Sequence, residues 1–185
     1  MVWQLVAAVM NEAANVFIVA EPYLKDMRMP LSLHVLRMLW KNLIIFGHNA
    51  LIIVAVLIFL GPGWTWTLLL APVGLGLLML NGVWIGLLVG LVCARYRDMA
   101  QIVASVVQLA FFLTPIVWKP ESLGRHRWAA DINPLTHFIE LVRAPLLGQV
   151  PSALSWAVTL GVLLAGFAIA LPFFARFRSR VAYWV

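Results

Sequence analysis

The first residues able to do chemistry are Asn11, Glu12 and Asn15, which interrupt an otherwise apolar run from Val2 to Ala20. An ionisable side chain inside such a run is expensive in hydrocarbon and marks an ion path, a proton relay or a wet cavity. Glu12 is the one acid so placed, and its amide neighbours predict that it faces a bundle interior or a channel rather than lipid. A proton-coupled carrier needs more such groups than this. His34, Arg37, Lys41 and His48 follow at spacings of three, four and seven, which put them on one helical stripe. That stripe reads either as a helix end presented to a soluble partner or as a basic collar snorkelling to headgroups. His34 and His48 share a face suited to haem. Bis-histidine ligation needs matching histidines on a facing span, however, and the only others, His126 and His137, fall in a polar connection.

Hydrolytic and metal chemistry lack their residues. There is no G-x-S-x-G elbow, no H-E-x-x-H and no cluster of metal ligands. No glycine is followed by lysine, so no Walker phosphate loop exists. If ATP drives this protein, another chain binds it.

The elements that hold these residues follow from composition. The chain has 185 residues, 64% apolar and only 11% charged, with a mean hydropathy of +0.98. A soluble domain is roughly 45–50% apolar and about 25% charged, and one of this size cannot hide so much apolar surface. A soluble enzyme, a disordered chain and a disulfide scaffold are therefore excluded, the last also because Cys93 stands alone. The solvent is lipid. The fold expected is all-α, a polytopic membrane helix bundle forming a single transmembrane domain over 1–185.

A crossing helix needs about 20 residues. From Asn42 to Ala94 there is no Asp, Glu, Lys or Arg, and Gly61-Pro62-Gly63 breaks the run. Five spans result, at roughly 2–20, 43–60, 67–92, 99–118 and 153–174. Lys and Arg concentrate in the connection 21–41, the Arg95–Asp98 turn and the tail (nine in all), against four in the connection 119–149. The positive-inside rule then places the C-terminus in the cytoplasm. The net charge of +6 flanks membrane spans rather than marking a nucleic-acid surface. Five spans would leave the N-terminus outside, yet Met1 opens directly into an apolar segment without a basic leader. The reading is a chain missing a cytoplasmic segment and a first span.

Gly74, Gly76, Gly82, Gly86 and Gly90 form a small-residue set suited to close helix packing within the chain or to a dimer interface. Pro115 should end or kink the fourth span. Asn133 can cap a helix that begins at Pro134, with Leu135, Phe138, Ile139, Val142 and Leu146 on its apolar face and His137, Glu140 and Arg143 opposite. Pro145 and Gly148 stop it. That makes an interfacial or re-entrant amphipathic helix near 134–147. The nine Trp read as interface belts more readily than as sugar-stacking platforms.

Several of these segments, taken in order, carry a resemblance: Lys25…Met29-Pro30, Arg95-Tyr96-Arg97-Asp98, Thr114-Pro115-Ile116-Val117-Trp118, Asn133-Pro134 and Arg143-Ala144-Pro145-Leu146-Leu147-Gly148. The chain resembles the membrane subunit of ABC-2 type exporters, in the branch that moves O-antigen, capsular polysaccharide or teichoic acid. The resemblance implies six spans with both termini in the cytoplasm of a bacterium, so that this chain looks like the last five. It implies that two copies form a channel in the inner membrane for a lipid-linked glycan. A separate pair of ATPase subunits would carry ATP and Mg; this chain would hold no cofactor and no catalytic residue. By similarity Lys25, Asp26, Arg28, Met29 and Pro30 would couple to the ATPase, with Arg95, Arg97 and Asp98 forming a cytoplasmic turn. Pro115, Trp118, Asn133, Pro134 and Arg143 would belong to an outer gate in the connection 119–149. Such exporters tend to be basic where Asp26 stands and to carry Phe where Met29 precedes the proline. Export of a drug or lipid, and a non-transporting scaffold or accessory protein, are the alternative functions.

Overall fold

The computed structural model describes residues 1–26, 29–60, 65–118 and 128–184. Every regular element among them is helical: α1 Val2–Val19, α2 Glu21–Asp26, α3 Leu31–Leu60, α4 Leu70–Arg95, α5 Met99–Leu113, α6 Trp128–Ile132, α7 Pro134–Leu146, α8 Ala153–Phe177 and α9 Val181–Trp184, with 3-10 turns before α4 and α9. Four of these helices are long and apolar enough to cross a membrane, and α5 is a shorter apolar helix. The all-helical membrane bundle follows from the composition.

Two boundaries differ from the sequence reading. The span expected over 99–118 is helical only to Leu113. Thr114 leaves the helix at φ −93°, ψ 138°, because the Pro115 ring disfavours helical backbone in the residue before it. The 15 residues of α5 rise only about 22 Å, short of the ~30 Å hydrocarbon core. The connection expected over 21–41 is also helical from Leu31, so its second half forms the first turns of α3.

Helix α4 is the centre of the bundle. Helices α1, α3, α7 and α8 all pack on it, and its glycines explain how. A Cβ built on Gly82 would lie 2.6 Å from Leu39, one on Gly86 2.5 Å from Val35, one on Gly90 2.6 Å from Val16, and one on Gly74 2.5 Å from the Leu141 carbonyl oxygen. The stripe thus seats α3, α1 and α7 in turn, and the close-packing reading holds for these four. Gly76 faces open space. On α8, Gly166 presses on the Trp84 ring. Trp84 Nε1 donates to Asn81 Oδ1 at 3.0 Å, and Asn81 Nδ2 donates to the Leu77 carbonyl at 3.0 Å. The buried amide is thereby satisfied without leaving its own helix.

Large apolar side chains point outward along α3 and α8, with Phe59 82% and Leu164 72% exposed. Water would penalise that surface and lipid does not. Beyond Phe46, α3 parts from α4 and leaves an apolar cleft of about 280 Å³.

Candidate functional site

Two polar arrays and one aromatic cluster bring most of the singled-out residues together. The first array runs along the α1–α5 pair. The Trp3 and Phe111 rings sit 5.8 Å apart, joining the start of α1 to the end of α5 and setting the two helices antiparallel. Gln4 and Asn15 are exposed on α1, with Asn11 between them half-buried; Gln101, Ser105 and Gln108 are exposed on α5. Spacings of seven and four on α1, and four and three on α5, make each set a stripe. Asn15 Nδ2 donates to the Asn11 carbonyl at 3.2 Å and Ser105 Oγ to the Gln101 carbonyl at 3.1 Å. Asn11 Oδ1 is buried without a partner. The α5 stripe was readable as polar residues at helical spacing in an uncharged run, but the sequence reading singled out only α1.

Glu12 does not face the same way. Its Oε1 pairs with Lys41 Nζ at 2.7 Å and its Oε2 accepts from Asn42 Nδ2 at 2.9 Å. Asn42 also donates to the Met38 carbonyl at 3.0 Å. The acid expected to face the bundle interior or a channel thus ties α1 to α3. Lys41 leaves the charged stripe: it sits level with the middle of α1, while His34 is buried beside Tyr23 with ring centroids 6.4 Å apart. His48 Nδ1 donates to the Ile44 carbonyl at 2.9 Å. These histidines are engaged separately.

The second array joins α5, α7 and α8 at the opposite end from α2. Asn133 caps α7 by accepting from Leu135 N at 3.0 Å, and its Nδ2 donates to Thr114 Oγ1 at 3.0 Å. Arg143 Nη1 donates to the Pro115 carbonyl at 3.5 Å, and Trp118 Nε1 to the Phe112 carbonyl at 3.0 Å. Pro115, Trp118, Asn133, Pro134 and Arg143, scattered in the sequence, thus collect where the end of α5 meets α7. Gly148, at φ 76°, takes the left-handed turn after α7 that favours glycine.

Part of the polar face of α7 is covered by the protein itself. His137, expected on that face, is 2% exposed, because the start of α8 packs over it. His137 Nε2 donates to the Asp131 carbonyl at 2.8 Å, and its Nδ1 lies 2.7 Å from Ser155 Oγ. Ser155 Oγ donates to Glu140 Oε2 at 2.6 Å, and Glu140 Oε1 accepts from Ser152 N at 3.2 Å. A serine, a histidine and a glutamate in contact invite a hydrolase reading. The glutamate binds the serine rather than orienting the imidazole, and Ser155 is fully buried, so the array lacks triad geometry. It fastens α7 to the amino end of α8, where a carboxylate is favourable.

The aromatic cluster lies at the α2 end. The Arg95 guanidinium lies over Tyr96 at 5.3 Å and Trp184 at 5.2 Å; Arg176 and Arg180 approach the Phe177 ring at 5.9 and 5.8 Å. Helix α9 packs on both α2 and α4, and the Arg95–Trp184 cation–π contact stitches the tail to the end of α4. Arg37 lies over Tyr23 at 5.7 Å. Met29 and Pro30 are exposed just before α3, and Arg97 and Asp98 are exposed between α4 and α5. The backbones of Lys25 and Asp26 close α2; Arg28 lies outside the described residues. Among the described residues no group of three or more His, Cys, Asp or Glu could hold a metal.

A helical bundle whose end segments are elaborately tied and whose outer surface is apolar matches the ABC-2 type transporter family over residues 1–147. The chain belongs to the ABC-2 type transporter family. An ABC-2 membrane component transports and is not itself the catalyst, and the family implies pairing with an ABC ATPase subunit. Several apolar helices and this membership make it a multi-pass membrane protein. A comparison with curated protein sequences found no match.

Proposed function

We propose that this ABC-2 component is half of an exporter for a lipid-linked glycan of the O-antigen, capsule or teichoic acid type, driven by ATP bound with Mg on a separate ATPase pair. The α1–α5 stripe carries the reading. Gln4, Asn15, Gln101, Ser105 and Gln108 present uncharged amides and a hydroxyl away from the protomer core. Facing lipid, the Gln4, Gln101 and Gln108 amides would meet only hydrocarbon; facing a second copy across a wet passage, they match sugar hydroxyls without holding them too tightly.

In this reading the α2 end is cytoplasmic in a bacterial inner membrane, as the basic residues there favour, and the C-terminus lies with it. Lys25, Asp26, Arg28, Met29 and Pro30 receive ATPase motion, as does the Arg95, Arg97 and Asp98 turn. The Thr114–Pro115–Asn133–Arg143 junction, with Trp118 and Pro134, is the outer gate. The Glu12–Lys41 tie makes α1 and α3 respond together when α2 is pushed.

The test is Gln101→Leu with Gln108→Leu, in membranes holding the ATPase. Glycan export should fall while ATPase association persists. Full export by the double variant overturns the passage assignment. A drug or lipid exporter would instead keep nucleotide-dependent ATPase association but show no glycan movement, and a scaffold would bring down no ATPase.

A further inference from the structure

The stripe Phe46, Ala50, Ile53 and Leu57 on α3 faces Ala71 and Leu75 of α4 across the open cleft, and α7 closes its floor. These residues recur at four, three and four, so they mark one face of α3. Earlier on the same helix Val35 and Leu39 sit directly on the α4 glycines, whereas this later part stands off. We infer that the cleft is a seat for a single hydrocarbon chain of a membrane lipid. Every lining side chain is apolar, so no sugar, ion or headgroup finds a hydrogen-bond partner inside. The cleft, about 280 Å³ and open on one side, accepts a flexible chain. Water does not fill an apolar hollow of this kind. The surrounding exposed surface of α3, including Leu51 and Phe59, is itself lipid-facing, so a chain enters from the side without crossing a polar rim. This site is separate from the α1–α5 stripe and does not depend on which substrate that stripe serves.

The experiment uses the full chain in phosphatidylcholine vesicles doped with a phosphatidylcholine bearing a diazirine midway along one acyl chain. After illumination and digestion, label should concentrate on 46–57 and 68–75 relative to the outward face of α8 at Leu164 and Ile169. Ala71→Phe overfills the cleft and should lower label there by roughly tenfold, leaving the α8 label unchanged. Ala50→Leu, a milder filling, should lower it less; it serves as the reading if the first variant does not fold. Equal labelling of cleft and α8 in every folded form would overturn the inference, as would chain-to-chain crosslinks in place of lipid adducts.

Discussion

Glu12 of α1 and Lys41 of α3 meet at 2.7 Å across 29 positions of sequence. Asn42 supplies a second bond to the same carboxylate, so two consecutive residues of α3 grip one acid of α1. The pair is partly exposed, 56% for Lys41 and 35% for Glu12, which limits its worth. We expect Lys41→Met to destabilise the wild type more than it destabilises Glu12→Gln, with a coupling of about 1 kcal/mol or less in a double-mutant cycle. Additive thermal shifts in detergent would remove the tie from the account.

The α4 glycines differ in what they touch, and their alanine variants should differ accordingly. Gly74→Ala meets the Leu141 backbone, which cannot swing aside, and should cost about 1–3 kcal/mol. Gly82→Ala meets the Leu39 side chain, which can adjust, and should cost less. Gly76→Ala, and Gly161→Ala on α8, enter open space and should be neutral or stabilising by up to about 1 kcal/mol. Unfolding midpoints of the four variants rank them directly.

The fastening of α7 to α8 depends on buried hydrogen bonds. Ser155→Ala removes the hydroxyl between His137 and Glu140, leaving the buried imidazole short of a partner at a cost of about 1–3 kcal/mol. Glu140→Gln keeps an acceptor and should cost less than Glu140→Ala. Limited proteolysis between α7 and α8 gives the reading: cleavage should rise in the order Gln, Ala, and stay low in the wild type.

Asn133 does two things at once, capping α7 and holding Thr114. Asn133→Asp keeps the cap and loses the amide donor, whereas Asn133→Ala loses both. Loss of the cap alone is worth about 1 kcal/mol. Protection of the α7 amides in hydrogen exchange should therefore fall more for Ala than for Asp. Equal protection in the two would mean that the Thr114 contact, not the cap, holds the helix.

Much of the protein is written in local pattern. The apolar excess declares lipid as the solvent, because no arrangement of so few charges could cover a soluble surface. The cap at Asn133-Pro134, the stop before Pro115 and the close approach at Gly82, Gly86 and Gly90 are each a property of a few neighbouring residues, and each is present in the structure. Partners are another matter. Periodicity puts His137 on the polar face of α7, and only the docking of α8 buries it against Ser155. It shows Glu12 as an acid in a span, and only the packing of α1 on α3 supplies Lys41. The cleft between α3 and α4 is not a residue pattern at all but the space left when two helices touch at one end and part at the other. Helix faces are determined within a turn or two; which face meets which is decided by side-chain fit between segments far apart in the chain.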